Sequence, residues 1–96
     1  MRTVVLDPEA DRDISDEFNY LADRNLQAAL RFLQAAEDTF SDLSEMPGTG
    51  SPREFKNHKL TGVRMFPTTG FPNYLIFYLT TNVSILILRV LHGAQH

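Results

Sequence analysis

Ninety-six residues with 43% hydrophobic content fit one small domain built on a single core. There is no cysteine, which excludes a disulfide framework and thiol chemistry, and three scattered histidines do not make a structural zinc set, so neither metal nor cofactor is expected. The net charge of −3 hides an asymmetry: residues 1–46 hold four basic and eleven acidic groups, a net of −7, while residues 47–96 hold five basic groups against Glu54 alone, a net of +4.

The acidic groups of the first half read as solvated helix faces. The nearly acid-free second half favours an anionic partner, protein or nucleic acid. Residues 1–6 are too short for a secretory signal and no apolar run reaches membrane-spanning length. A soluble, cytoplasmic protein without a membrane partner is expected.

In chain order, Thr3-Val4-Val5-Leu6 reads as a short strand. Asp7 can cap a helix whose first position is Pro8, with Glu9 placed to complement the dipole. Apolar residues recur at helical spacing through Ala10, Ile14, Phe18 and Leu21, and the helix should end near Arg24. Asn25 caps a second helix with the stripe Ala29, Phe32, Leu33, Ala36, Phe40 and Leu43, stopped by Met46-Pro47-Gly48. The short link predicts an antiparallel helical hairpin.

Residues 47–58, with two glycines and two prolines, read as a mobile loop. Three strands follow, over residues 59–67, 73–80 and 83–91, with turns at 68–72 and 81–82. The expected fold is α+β in the order β-α-α-β-β-β, a helical hairpin packed on a small antiparallel sheet.

Few residues stand out as carriers of chemistry. Arg64 alternates with Val63 and should face away from it. Arg89 lies inside the apolar run from Ile85 to Leu91, where it either projects from an exposed face, pairs with a carboxylate, or serves a functional role. His92 ends that strand; alternation turns Arg89 and His92 to different faces unless the strand bends. Tyr74 and Tyr78 share a face and read as core packing with wet hydroxyls. Asp11, Asp13, Asp16 and Glu17 read as a solvated helix face. His58 in the loop and His96 at the end are weak candidates. Gly48-Thr49-Gly50 is not a phosphate loop, because Ser51-Pro52 follows it. No catalytic motif emerges.

The order of these features resembles the ParE toxins of the ParE/RelE superfamily over nearly the whole chain. The resemblance runs through Leu6-Asp7-Pro8-Glu9-Ala10, Asp13-Ile14, Tyr20-Leu21-Ala22, Asn25, Ala28-Ala29, Arg31-Phe32, Thr39-Phe40, Leu43, Pro47, Gly50, Arg53 and Leu60-Thr61-Gly62-Val63-Arg64. Its most specific parts are Gly70 to Tyr78 and Ile87 to Ala94.

The resemblance implies the RelE/ParE toxin fold and a bacterial type II toxin. Such a toxin inhibits DNA gyrase and replication. It is neutralised by a ParD-type antitoxin in a hetero-oligomer, and meets operator DNA only through that antitoxin. Arg64, Arg89 and His92 are then candidates for target binding, and Arg53, Lys56 and Arg64 for antitoxin binding. The RelE branch cuts messenger RNA on the ribosome; Arg64 and Arg89 sit at positions similar to its arginines and His92 near its terminal histidine. This chain lacks the terminal tyrosine and the basic cluster of that branch, so a non-catalytic gyrase poison is favoured. A messenger ribonuclease and a degenerate toxin that only binds antitoxin stand as alternatives.

Overall fold

Asp7 starts the first helix by local chemistry. Its carboxylate accepts the Glu9 amide at 2.9 Å, and Pro8 sits where no intrahelical donor is needed. The resulting helix α1 spans Pro8–Ala22, and α2 spans Leu26–Glu45 with Asn25 accepting the Ala28 amide at 3.1 Å. The structure, a computed structural model, describes residues 1–93; Ala94, the last position of the hairpin motif, and His96 lie outside the described residues. Among those described, no helix is long and apolar enough to cross a membrane.

The strands are β1 (Thr3–Leu6), β2 (Ser51–Pro52), β3 (Arg64–Thr68), β4 (Phe71–Thr80) and β5 (Ser84–His92). They form one sheet in the order β1-β5-β4-β3-β2. β3, β4 and β5 are antiparallel neighbours, as their short turns require, but β1 runs parallel to β5, so the sheet is mixed and not antiparallel throughout. The short-turn rule governs only strands next to each other in the chain. β1 is separated from the others by the helical hairpin, which returns the chain and frees β1 to pair in parallel.

Two further departures fall in the segment read as a mobile loop. Ser51–Pro52 pairs with Met65 and Arg64 as a fifth strand, and residues 47–49 form a single 3-10 turn. β3 begins at Arg64, because another 3-10 turn at His58–Leu60 and a glycine turn occupy the preceding residues; Gly62 adopts a φ of +87°, which favours glycine.

The helices cover one face of the sheet. Phe32, Phe40 and Leu43 of α2 and Ile14 of α1 pack on Tyr74, Ile76, Tyr78, Ile85, Ile87 and Val90. The predicted stripes are thus the core-facing ones, though Phe18, Leu21 and Leu33 remain partly exposed. Among the described residues neither α1 nor α2 lies over the opposite face, where Leu75, Phe77, Leu86, Leu88 and Leu91 are half-buried. The pairing of β4 with β5 is irregular at one place: Phe77 stands opposite Arg89 and Tyr78 opposite Ile87, leaving Leu88 as an extra residue in β5.

Candidate functional site

The bulge at Leu88 resets the alternation of β5. Ile85 and Ile87 face the helices before it, and Val90 and His92, opposite Ile76 and Tyr74, after it. Arg89 and His92 therefore stay on different faces, as alternation requires. β1 stops at Leu6, opposite Ile87, so beyond that point the edge of β5 has no strand beside it. Helix α1 fills the gap. Asp13 accepts the Val90 amide at 2.9 Å where a strand would have done so.

The same carboxylate holds Arg89 through two hydrogen bonds, at 2.8 and 3.0 Å, with Glu9 at 3.6 Å from the guanidinium. The hydrogen bond and charge of Asp13 raise the Arg89 pKa further and keep it cationic. Of the readings open for Arg89, the structure shows pairing with a carboxylate, with the side chain still 42% exposed. It also corrects the reading of the acidic helix face: Asp13 is largely buried and Glu17 is engaged by Tyr74. A signal was present, because Glu9, Asp13 and Glu17 are spaced four apart and border the apolar stripe Ala10, Ile14, Phe18.

Tyr74 does not present a wet hydroxyl. It donates to the Glu17 carboxylate at 2.9 Å, packs on Phe32, and has the His92 ring edge-on at 4.9 Å. Burial and then the bond to Glu17 push its pKa up to about 12 from an ordinary 10.0. The folded state therefore binds this proton more tightly than the unfolded state. The stabilisation is fully present below pH 10 and lost as the pH rises towards 12. Absorbance titration should show late-ionising tyrosine, Tyr74 included, and Glu17→Gln should bring the Tyr74 transition down; all three tyrosines ionising together near pH 10 contradicts this environment.

Tyr78 is likewise dry. Its hydroxyl donates to the Pro47 carbonyl at 2.7 Å and accepts the Gly50 amide at 2.9 Å, and burial raises its pKa. A Cβ on residue 50 would overlap that hydroxyl, so glycine is required for the approach. Arg64, on the same face and opposite Tyr78, donates to the Gly50 carbonyl at 2.6 Å, away from buried Val63 as predicted. Arg53, whose amide donates to the carbonyl of neighbouring Val63, is exposed, and so is Lys56 farther along the segment. Phe55 and Leu60 also border a groove of about 440 Å³ on the uncovered sheet face, which has Phe77 and Leu88 on its apolar wall and Asp7, Glu9 and Arg89 as its charged lining.

The structure thus does not gather the candidate residues into one cluster. Arg89 belongs to α1 and β5, His92 to the Tyr74 aromatic group, and Arg64 with Arg53 and Lys56 to the far end of the sheet.

The description "ParE toxin of type II toxin-antitoxin system, parDE" matches residues 4–96. A solved chain of the "Chromosomal ParDE TA system from P. aeruginosa" superposes with a TM-score of 0.73 at 18% identity, over 94% of each chain, a likeness of fold. Comparison by sequence with curated proteins gives no match. The family pattern spans the capped hairpin, the pinned segment at Gly50 and the bulged final strand alike, and the chain belongs to the ParE toxin family of type II toxin-antitoxin systems.

Proposed function

We propose that this chain is a toxin that poisons DNA gyrase by binding, without itself catalysing proton transfer, and that a ParD-type antitoxin neutralises it in the bacterial cytoplasm. Family membership carries the toxin assignment. The non-catalytic reading is supported by one observation: the groups that phosphoryl chemistry would need are engaged internally. RNA cleavage by 2′-hydroxyl attack needs a base near neutral pH and cations aimed at the phosphate. Tyr74 is held protonated by burial and Glu17, and Arg89 spends two donors on Asp13.

In this reading the Arg89–His92 end of the hairpin faces gyrase or the DNA it holds. Arg64 contributes to target binding or, with Arg53 and Lys56, to antitoxin binding; Arg53 and Arg64 line a hollow of about 420 Å³ that shares Phe55, Leu60 and Val63 with the apolar groove, and acidic groups of an antitoxin suit that hollow. The test is purified chain in two assays. Loss of supercoiling with accumulation of cleaved gyrase–DNA complex is expected, unchanged by His92→Gln, because glutamine keeps hydrogen bonding but cannot act as an acid or base. Cleavage of ribosome-bound messenger that His92→Gln abolishes establishes the ribonuclease instead. Inactivity in both assays, with no toxicity on expression, establishes the degenerate toxin.

A further inference from the structure

Strands buried on both faces carry nearly unbroken apolar runs, whereas strands with one wet face alternate. β4 and β5 are of the first kind: Leu75 to Leu79 and Ile85 to Leu91 hold a single charge, Arg89. The helices cover Ile76, Tyr78, Ile85, Ile87 and Val90. Leu75, Phe77, Leu79, Leu86, Leu88 and Leu91 are half-buried on the other face, which neither helix covers. The groove of about 440 Å³ on that face lies between two unlike rims. Asp7 and Glu9, which follow edge strand β1, form one rim; Phe55 and Leu60, beside the opposite edge strand β2, form the other. Phe55 is a large ring left 46% exposed, and its neighbours Lys56 and Lys59 are exposed cations. On the first rim Asp7, Glu9 and Asp13 outnumber Arg89, so that side is negative. One chain thus carries an apolar knob with positive charge and an apolar hollow with negative charge, on opposite sides of one face.

We propose that a second copy of this chain covers the face, in a two-fold pair that seats Phe55 of each copy in the groove of the other and sets Lys56 against the other copy's Glu9. A two-fold axis along β4, the middle strand of the sheet, does this, because it lays the β2 side of one sheet over the β1 side of the other. Every contact then occurs twice, and both charge pairs are of opposite sign. A two-fold axis across the strands would instead set β1 on β1 and repeat acid on acid, which disfavours it. The leucines and Phe77 between the rims become the interior of two stacked sheets about 10 Å apart. The face holds its own complement in shape and charge, and this favours a second copy over an unrelated protein. The inference concerns the free chain and does not depend on what the chain poisons.

Sedimentation equilibrium of the purified chain alone is the test. The wild type should pass from monomer to dimer through the micromolar range, and at lower concentration in low salt than in high. Phe55→Ser, Glu9→Lys and Lys56→Glu each alter an exposed side chain, Glu9 being 63% exposed. Each should weaken the dimer about tenfold or more, with the circular dichroism unchanged. Mixing the Glu9→Lys chain with the Lys56→Glu chain should restore it, because both pairs are then complementary again, and so should both substitutions in one chain. Damage to folding cannot produce that restoration. A wild type still monomeric at about 1 mM overturns the inference. So does a dimer that survives all three substitutions, or one that the mixture fails to restore. A monomer in which Phe55→Ser instead weakens binding of antitoxin or gyrase assigns the groove to that partner and also overturns it.

Discussion

Asp13→Ala should destabilise the fold by about 3 kcal/mol, the largest effect of any single charged position. The removal strands two groups at once: the amide of Val90, which is 2% exposed, and the guanidinium of Arg89. Arg89→Ala should cost less, about 1 kcal/mol, because its side chain is 42% exposed and Asp13 keeps the Val90 bond without it. Asp13→Asn should fall between, since an amide oxygen still accepts from Val90 but carries no charge. Urea unfolding of the three variants and of the double variant Asp13→Ala/Arg89→Ala gives this order and a coupling between the sites. A cost for Asp13→Ala no larger than that for Arg89→Ala would mean that the carboxylate does not close the edge of β5. The ordering also bears on toxicity tests. Loss of activity in Arg89→Ala reports target binding only if that variant still folds and still binds antitoxin.

Tyr78→Phe should cost about 2 kcal/mol and release the segment 47–52 from the sheet. Phenylalanine fills the same space, so almost no packing is lost. What is lost is the hydroxyl that satisfies the buried Gly50 amide and the Pro47 carbonyl together. Amide exchange at Gly50 should quicken with the change in stability, while exchange in the α2 core around Phe32 changes only as global stability dictates. Gly50→Ala is the reciprocal test: its Cβ falls on the hydroxyl, and the ring behind it is fully buried, so the loss should equal or exceed that of Tyr78→Phe. A Tyr78→Phe variant as stable as the wild type would show that the hydroxyl's two bonds merely replace bonds to water. Because Arg64 bonds the Gly50 carbonyl, both variants should also loosen the basic end of the sheet and so weaken any partner that docks there.

Much of the fold was legible because its causes are local. Asp7-Pro8 and Asn25 set two helix starts by capping within three residues of themselves. The stripes at helical spacing marked the faces that meet the sheet. The alternating apolar runs on either side of residues 81–82 specified a hairpin whose partner is its own neighbour in the chain. The resemblance to ParE toxins rested on the same local fragments in order.

What tertiary structure alone decided lies at long range. The parallel pairing of β1 depends on where a two-helix excursion returns, which no turn residue encodes. Residues 51–52 form a strand because Tyr78, some 28 positions on, anchors Gly50 beside β3. Arg89 was visible as a charge in an apolar strand, but its partner lies 76 positions earlier, and Tyr74 meets Glu17 across 57. A carboxylate on a helix has the same local chemistry whether it faces water or a strand edge. Packing of α1 against the unpaired stretch of β5 is what turned Asp13 from a surface charge into the group that completes the sheet.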